Sequence, residues 1–390
     1  MEITSQINKQ KTAIVVVGYN RLNSIQRLLL SLEHAVYQSN DIPLVISIDA
    51  SGDKKLYDYV REFDWKHGEK YTIIHEERMG LKKHIFACGD LTQYFRAIIL
   101  LEDDLYVSPY FYEYVNAALG YYNNDNKAAC IGLYSYASNI YAALPFLPLQ
   151  TEYDTYGIQA TITWGECWNE RMWNDFQNWM KANPVIEWTK LDIPSTVKNF
   201  KRAWSKFFTA YLSCSNRYVI VPYKSYTTNF TEPGDHNKSG STVVQVPYVR
   251  RHENFKFGPV DDLVKYNSFF NPVGLEKFLP ELDGSLYVNL YGLRENVREC
   301  RYELTTDVLP YKILKTFALQ MKPIEVNVIM NVEGEGIFLY DLSKKEPNGK
   351  TDINPIHSIE YRLAMFRPRL LFKYIKNKLL GSLKKFLRLI

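Results

Sequence analysis

The N-terminal part of the chain alternates short apolar segments with helical patterns, and this alternation limits the possible folds more than any other feature. The apolar segments are rich in aliphatic and β-branched residues, which favours buried strands. We predict strands at Thr12–Val17, Leu44–Ile48, Tyr71–Ile74 and Ala97–Leu101. We predict helices at Ser24–Tyr37, Lys54–Phe63 and His84–Phe95. Short strands separated by helices indicate an α/β fold with a mostly parallel, Rossmann-like sheet flanked by helices.

The last of these strand segments runs directly into three acidic residues, Glu102, Asp103 and Asp104. Ligands of such sheets bind at the carboxyl ends of the strands. Adjacent carboxylates repel one another unless a cation or hydrogen-bond donors offset the repulsion. Because hard oxygen ligands suit Mg²⁺ or Mn²⁺, we predict a divalent-cation site here. The alternative is an acidic cap for a helix that starts near Ser108.

Four segments resemble, in the same order, N-acetylglucosaminyltransferase I of glycosyltransferase family 13. They are Gly18–Arg21, Pro43–Asp49, Leu81–His84 and Leu100–Val115. The last contains E-D-D-L-Y-V-S-P-Y-F-Y-E-Y, which is similar to the family's E-D-D-L-x-V-x-P-x-F-x-x-Y region. The resemblance covers residues 12–116 well. It implies a GT-A fold and a metal-dependent, inverting transfer of a sugar from a nucleotide sugar.

The resemblance also implies roles for single residues. Asp104 would coordinate the cation, Asp103 would hold the ribose or a metal-bound water, and Asp49 would accept a hydrogen bond from uracil. The other donor contacts that it implies are Gly18, Tyr19, Arg21 and His84. Two of these have plain alternatives, since an arginine at a helix start and a histidine on a helix need no ligand.

Two later segments resemble loops of bacterial glycosyltransferases of the same superfamily, namely Ile162–Trp168 and Asn229–His236. The first would place Trp164 over the donor sugar, although an indole in such an aromatic region also fits a core. The second would bring His236 to the metal or the diphosphate, with an ordinary loop histidine as the alternative.

The catalytic base is where this sequence departs from the family. An inverting transferase needs a carboxylate that accepts the proton of the acceptor hydroxyl. The family's aspartate is absent from the nearest matching segment, Trp204–Phe208. We predict Glu166 as the base and Asp235 as the second choice.

The C-terminal residues form a basic amphipathic pattern. Nine Lys or Arg and no Asp or Glu lie between Arg362 and Ile390, so the rest of the chain is mildly acidic although the net charge is +4. This distribution argues against nucleic-acid binding. One arc of a helical wheel is apolar: Leu371, Phe372, Ile375, Leu379, Leu383, Phe386, Leu389 and Ile390. We predict a helix that binds an anionic membrane surface, with docking on protein as the alternative.

The domain boundaries follow from these patterns. We predict a GT-A domain over residues 1–271, with a donor half at about 12–116 and an acceptor half at about 139–250. A small α+β extension would follow at 272–342, then a linker at 343–360 and the amphipathic C-terminal helix at 361–390.

The cellular location is predicted from what the sequence lacks. Its five cysteines form no C-x-x-C pair, which favours a reducing compartment. Neither a signal peptide nor a run of about 18 apolar residues is evident. We therefore expect a bacterial protein that is cytoplasmic and peripheral on the inner face of the cell membrane.

The predicted activity is transfer of an N-acetylhexosamine or hexose from a UDP-sugar to a glycan or lipid-linked oligosaccharide in surface polysaccharide biosynthesis. Two alternatives remain open. A nucleotidyltransferase that makes a nucleotide sugar would share the α/β fold and the metal. A non-catalytic protein that binds nucleotide sugars and membranes would explain the missing base.

Overall fold

The computed structural model describes residues 8–201, 203–230, 232, 244–294, 300–346, 360–362 and 368–386. Its strands, in chain order, are β1 (Asn8–Gly18), β2 (Leu44–Ile48), β3 (Lys70–Ile74), β4 (Phe95–Glu102), β5 (Leu105–Val107), β6 (Ala128–Gly132), β7 (Ser138–Asn139), β8 (Leu144–Pro145), β9 (Thr155–Ile158), β10 (Glu166–Asn169), β11 (Tyr218–Pro222), β12 (Thr227–Asn229), β13 (Lys265–Tyr266), β14 (Leu286–Asn289), β15 (Tyr302–Thr305), β16 (Tyr311–Phe317) and β17 (Ile337–Lys345).

The α-helices, in the same order, are α1 (Leu22–Glu33), α2 (Lys54–Glu62), α3 (Leu81–Gly89), α4 (Phe111–Tyr122), α5 (Glu170–Ala182), α6 (Ser195–Lys198), α7 (Trp204–Cys214), α8 (Val326–Ile329) and α9 (Pro368–Phe386). Short 3₁₀ helices cover Asp90–Gln93, Trp188–Lys190 and Leu275–Phe278. None of the helices in the described ranges is both long enough and apolar enough to span a membrane.

Nine strands form the main sheet, in the order β13-β9-β11-β6-β10-β4-β1-β2-β3. Five of the neighbouring pairs are parallel, and the three pairs β4/β10, β6/β10 and β9/β11 are antiparallel. Helices cover the sheet: Trp168 of β10 packs against Trp173 of α5 and Trp204 of α7. The structure thus confirms the predicted α/β class, with a mostly parallel central sheet flanked by helices.

Each predicted strand and helix of the N-terminal part overlaps an observed one, although β1 starts before its predicted start, α1 ends at Glu33 and not at Tyr37, and the end of α3 differs most. The helix predicted to run to Phe95 ends at Gly89, is followed by a 3₁₀ turn, and gives way to β4 at Phe95. Leu91 and Phe95 are both buried, so they continue the apolar spacing past the end of the helix. Trp173 fills the space beside Gly89, where an added Cβ would lie 2.1 Å from the indole ring.

A second sheet, in the order β14-β15-β17-β16, lies in the region predicted as the small extension. It has its own apolar core, in which Leu304 and Phe317 are fully buried and to which Val328 of α8 contributes. The Tyr266 hydroxyl at the edge of the main sheet donates to Glu325 beside α8 at 2.5 Å. This buried contact joins the two sheets. The domain boundaries stay predictions.

Candidate functional site at the carboxyl edge of the main sheet

The carboxyl ends of β1, β2, β4, β6 and β11 meet at one edge of the main sheet, which we call the carboxyl edge. β1, β2 and β4 are parallel. β10 is antiparallel to both β4 and β6, so β6 runs in the same direction as β4, and β11 is parallel to β6. The chain adds β2 and β3 on one side of β1 and then places β4 on the other side. Open α/β sheets bind ligands in the crevice that such a reversal of strand order creates.

An arginine lies between two aspartates in this crevice, and we call Arg21, Asp103 and Asp104 the Arg21 centre. Arg21 Nη1 donates to Asp104 Oδ2 at 3.1 Å, and its Nε donates to Asp103 Oδ2 at 3.3 Å. Its Nη2 also donates to Asp103. The Asp103 and Asp104 side chains are only 5% and 17% exposed. The guanidinium therefore supplies part of the positive charge that the acidic residues require.

Three carboxyl groups nevertheless adjoin a single guanidinium in this region, so the guanidinium cannot compensate all of them. Burial raises the pKa of Asp103 to about 6, although Arg21 opposes the shift. Burial also raises the pKa of Asp104, again against the effect of Arg21. Burial, followed by repulsion from Asp104 and Asp103, raises the pKa of Glu102 to about 8. The crevice is thus electrostatically suited to a further cation.

β12, which follows Asp104 by more than 100 residues in the sequence, holds Asp104 in place. Asn229 Nδ2 donates to Asp104 Oδ1 at 3.0 Å, and the Phe230 backbone N–H donates to the Asp104 carbonyl oxygen at 2.8 Å. Asn229 Oδ1 is buried and accepts no hydrogen bond from the described part of the chain. An unpartnered buried oxygen is costly unless a ligand, ion or water meets it.

The donor set fits a divalent cation. The Asp104 carboxylate and Asn229 Oδ1 are hard oxygen ligands of the kind that Mg²⁺ and Mn²⁺ prefer. No three His, Cys, Asp or Glu side chains within the described ranges are grouped so as to hold a metal ion. A cation bound at Asp104 would therefore need further oxygen ligands from a bound molecule, such as a diphosphate.

A second arginine fastens the segment after β12 to helix α1. Arg27 forms two hydrogen bonds with Glu232, of 2.7 and 2.8 Å, and Ser24 of the same helix donates to Glu232 as well. The Arg27 guanidinium also stacks 4.1 Å from the centroid of the Phe230 ring. Hydrogen bonds from Arg27 lower the pKa of Glu232 to about 2. This contact closes one wall of the crevice beside the Arg21 centre.

Asp49 lies at the end of β2, as predicted, but its carboxylate is occupied by the protein's own backbone. Oδ1 accepts from the N–H groups of Ala50 at 2.9 Å and Met79 at 2.8 Å, and Oδ2 accepts from Gly80 at 2.9 Å. Although burial opposes the shift, these backbone bonds lower the pKa of Asp49. Asp49 therefore anchors the turn that leads into α3, and its selection of uracil stays a prediction.

His84 is buried in the structure, whereas a position in contact with a nucleotide was predicted. It is 2% exposed, its Nε2 lies 2.7 Å from Ser47 Oγ, and its ring meets the His75 ring edge-on at 5.0 Å. Burial, with a smaller effect of His75, lowers the pKa of His84 to about 4. The imidazole is therefore a neutral part of the core.

The burial of His84 predicts a pH-dependent stability. The free energy of unfolding should fall by about 2 kcal/mol between about pH 7 and about pH 5, because only the unfolded imidazole takes up a proton in that range. This contribution is complete above the ordinary pKa of 6.5 and is lost as the pH falls toward about 4. Urea unfolding at both pH values measures this fall in the free energy of unfolding. The fall should be about 2 kcal/mol smaller for His84→Gln than for the unsubstituted protein. Equal differences in the two proteins would contradict this account of His84.

The position of Glu166 does not agree with its predicted role as the base. Glu166 lies on β10 between β4 and β6 and is 1% exposed. Its Oε2 accepts from the Cys130 thiol at 3.8 Å, and its Oε1 is buried without a partner in the described residues. Burial, with repulsion from Glu102, raises the pKa of Glu166 well above its ordinary value. A carboxyl group that is enclosed in the sheet in this way lies out of contact with an acceptor hydroxyl bound at the surface.

Trp164 lies at the carboxyl edge, half-buried against other aromatic rings. Its indole is 4.5 Å from the Tyr134 ring and 5.8 Å from the Tyr136 ring, by ring centroids. Its carbonyl oxygen accepts from Thr227 of β12 at 2.5 Å. The indole thus lies beside the strand that reaches Asp104, and its contact with a sugar stays a prediction.

The predicted donor turn lies directly against the Arg21 centre. An added Cβ at Gly18 would lie 2.9 Å from Ile48 Cδ1 and 3.8 Å from Asp103 Oδ2, so only glycine fits without displacement. The Tyr19 backbone N–H donates to Asp103. The Tyr19 ring is half-exposed and stacks 4.6 Å from the guanidinium of Arg78, which follows β3. This stacked pair forms the β3 side of the crevice.

Two predicted site residues, Asp235 and His236, lie outside the described residues. The sequence analysis missed the roles of Arg27, Asn229 and Glu232. Asn229 and Glu232 belong to the segment that resembles a loop of bacterial glycosyltransferases. No local pattern marks Arg27, which looks like any polar residue on an amphipathic helix.

Comparison with known proteins adds little to this description. No family model matches the chain, and no curated protein matches it. Among solved structures it is similar to the TarS fragment of S. aureus in complex with UDP-GlcNAc, at 16% identity and a TM-score of 0.39 over 60% of this chain and 62% of that one. It is also similar to GalNAc-T7 with UDP, GalNAc and Mn²⁺, at 12% identity and a TM-score of 0.39 over 55% of this chain and 43% of that one.

A third similar structure is the mannosyltransferase PcManGT from Pyrobaculum calidifontis with GDP-Man and Mn²⁺, at 10% identity and a TM-score of 0.31 over 42% of this chain and 45% of that one. The chain spans about 60% of the TarS fragment 1–349 and 36% of the chain in a further structure of S. aureus TarS, so it matches only part of either one. These scores are too low to carry an argument about activity. The resemblance to family 13 therefore stays a prediction.

Proposed function

We propose that this chain is a glycosyltransferase that moves a sugar from a UDP-sugar to a glycan or a lipid-linked oligosaccharide. The observation that carries the proposal is the Arg21 centre, which lies at the crevice where the strand order of the main sheet reverses. An arginine beside two carboxylates offers one group for phosphate oxygens and two groups for a cation and for sugar hydroxyls. This combination suits a nucleoside diphosphate joined to a sugar.

In the proposed complex, Arg21 moves from Asp104 to the diphosphate, and Asp103 stays buried to accept a hydrogen bond from the ribose. Asp104 and Asn229 Oδ1 would hold Mg²⁺ or Mn²⁺. When bound, the cation would neutralise the charge that develops on the departing nucleoside diphosphate. Arg27 and Glu232 keep β12 in position during this exchange, because their paired hydrogen bonds do not involve the Arg21 centre.

The proposed reaction inverts the configuration at the anomeric carbon. It therefore requires a base that accepts the proton of the acceptor hydroxyl. The burial of Glu166 leaves Asp235 as the remaining predicted base. The proposed place of the reaction is the synthesis of surface polysaccharide in a bacterium.

Product analysis with a panel of UDP-, GDP- and CMP-sugars tests this function. We expect release of UDP from a UDP-sugar that depends on an added acceptor and that stops in excess EDTA. Two different results would contradict the proposal. Formation of a nucleotide sugar from a nucleoside triphosphate and a sugar phosphate would indicate a nucleotidyltransferase. Binding of a nucleotide sugar without turnover on any acceptor would indicate a binding protein.

We further propose that helix α9 binds an anionic membrane surface, which supports a peripheral location on the inner face of the cell membrane. The described side chains of this helix are exposed, including Phe372 at 72% and Leu379 at 64%. Apolar side chains of this size do not remain in water when an interface is available. Lys373, Lys376 and Lys378 interleave with them and would meet anionic head groups.

Liposome co-sedimentation tests the role of the helix. The full chain should bind anionic vesicles and a truncation after His357 should not, with each cation contributing about 1 kcal/mol near the surface. A variant with Lys373, Lys376 and Lys378 all changed to Gln should bind more weakly and depend less on salt, since screening acts on charges. Equal sedimentation of the full and truncated chains would show that α9 does not bind membranes.

A further inference from the structure

A large cleft opens on the carboxyl edge beside the Arg21 centre, and we call it the apolar cleft. Its volume is about 980 Å³. Ser135 and Tyr136 line it just after the end of β6, and Tyr223 and Ser225 line it just after the end of β11. Because β6 and β11 run in the same direction as β4, the cleft and the Arg21 centre open on the same edge of the sheet.

Strand β12 connects the cleft to the Arg21 centre. Ser225 lines the cleft, and Asn229, four residues further along, donates to Asp104. Four residues of extended chain span about 13 Å. The ring of Tyr248 in the cleft wall lies 5.7 Å from that of Tyr106, which follows Asp104 closely in sequence. A molecule in the cleft can therefore extend to the Arg21 centre.

The interior of the cleft is apolar and firmly built. Phe146 and Tyr136 are almost fully buried, whereas Leu147 is 50% exposed and presents its side chain to the opening. The backbone of Leu149 is fixed on both sides, since its N–H donates to the Tyr266 hydroxyl at 2.7 Å and its carbonyl oxygen accepts from Tyr223 at 2.5 Å. An apolar interior of this size suits an apolar ligand.

The rim of the cleft is basic. Its lining includes one acidic residue, Glu253, and four basic residues: Lys224, Arg250, Arg251 and Lys322. Lys224 and Arg251 share the Glu253 Oε1 atom, at 2.6 and 3.2 Å. Arg250 and Lys322 form no salt bridge with any other described residue. A cationic rim around an apolar interior is complementary to a molecule with an anionic head and an apolar tail.

The cleft also lies near the start of helix α9, which we propose binds a membrane. The Tyr361 hydroxyl donates to the Met321 carbonyl oxygen at 2.5 Å, and Lys322 at the rim lies 5.3 Å from the centre of the Tyr361 ring. Helix α9 starts at Pro368, six residues after Arg362. Six residues reach at most about 20 Å. A membrane held by α9 would therefore lie within reach of the cleft.

We propose that the apolar cleft binds the acceptor of the reaction, and that this acceptor is an anionic amphiphile, a glycan joined through a phosphate or diphosphate to an apolar chain. The inference rests on the proposed function. The apolar interior takes the first part of the chain, the basic rim takes the phosphate, and the glycan extends along β12 toward Asp104. Neither a free glycan nor a simple anion would use both the interior and the rim.

Calorimetry with farnesyl diphosphate as the probe tests this assignment on the full chain, in parallel with UDP. Farnesyl diphosphate should bind, whereas inorganic diphosphate and farnesol should each bind at least about tenfold more weakly. Prior saturation with UDP should leave the affinity for the probe unchanged, because the two sites are separate. Equal affinity for inorganic diphosphate and farnesyl diphosphate would reveal a plain anion site and overturn the proposal.

Substitutions in the cleft test whether farnesyl diphosphate binds there. Arg250→Glu combined with Lys322→Glu, and separately Leu147→Asp, should each lower the affinity for farnesyl diphosphate by about tenfold or more. All three side chains are exposed or half-exposed, so the fold should survive. Lys55→Glu, an exposed charge reversal on α2, is the matched control and should bind the probe normally.

The UDP titrations separate the two proposals. If the cleft variants lose the probe and keep UDP, both proposals stand. If the cleft variants bind the probe normally, the cleft assignment is wrong whatever UDP does. Failure of every variant and of the unsubstituted protein to bind UDP would instead contradict the proposed function.

Discussion

Replacing Asp104 with asparagine should lower kcat/KM for sugar transfer by about 10²–10³-fold, the effect expected when a group that stabilises the transition-state charge is removed. Asparagine has the same size and can still bond with Asn229, but it carries no charge to hold a cation. Because the Asp104 side chain lies at the crevice and is 17% exposed, the substitution should not unfold the protein.

Initial rates with the preferred UDP-sugar measure this effect, and thermal unfolding checks the fold. Asp58→Asn is the matched control, since Asp58 is an exposed aspartate of α2 with a 65% exposed side chain. A folded Asp104→Asn protein with the kcat/KM of the control would show that Asp104 is not the cation ligand.

Replacing Arg21 with alanine should lower the free energy of unfolding by about 3–5 kcal/mol, because it leaves the buried carboxylate of Asp103 without a counter-charge. Arg21 makes two hydrogen bonds to Asp103 and one to Asp104. Adding Asp103→Asn to Arg21→Ala should restore part of the loss, since the unpaired charge is then gone. Mn²⁺ should also stabilise Arg21→Ala more than the unsubstituted protein, because the cation would take the place of the guanidinium.

Urea unfolding of the single and double variants, with EDTA and with Mn²⁺, measures these effects without reference to activity. Arg61→Ala, which removes an exposed guanidinium that pairs with Asp58 at 3.5 Å, is the control. An unfolding free energy of Arg21→Ala within about 0.5 kcal/mol of the control would contradict the account, since surface substitutions fall in that range.

The local parts of the fold were predictable because they depend on short patterns. β2 was predicted with its exact bounds, and β4 was placed correctly because a run of aliphatic residues leads into the acidic residues. The C-terminal helix followed from a periodicity that needs no tertiary information. The end of α3 was not predictable, because Leu91 and Phe95 keep the helical spacing although each is buried in another element.

The contacts that build the candidate site join distant parts of the chain, and this explains why the sequence indicated them incompletely. Asn229 and Asp104 are 125 residues apart, and Arg27 and Glu232 are 205 apart. Arg21, Asp103 and Asp104 lie together because they follow within three residues of the parallel strands β1 and β4, whose carboxyl ends lie at the same edge, while their predicted roles stay predictions.

The sequence did not indicate which of the candidate side chains are buried. Glu166 and His84 have the chemistry of a base and of a nucleotide ligand, but their strand and helix neighbours enclose them. β10 is antiparallel between two parallel strands, a pairing that no local pattern reveals, and it places Glu166 inside the sheet. The apolar cleft likewise depends on contacts between the two sheets, such as that of Tyr266 with Glu325.

The central claim is that the Arg21 centre binds a nucleoside diphosphate together with a divalent cation. Calorimetric titration of UDP into the unsubstituted protein and into Asp104→Asn, each with Mn²⁺ and with EDTA, tests it most directly. The account predicts that Mn²⁺ strengthens UDP binding to the unsubstituted protein by at least about tenfold and that Asp104→Asn abolishes this gain. An equal gain from Mn²⁺ in both proteins, or no UDP binding by either, would contradict it.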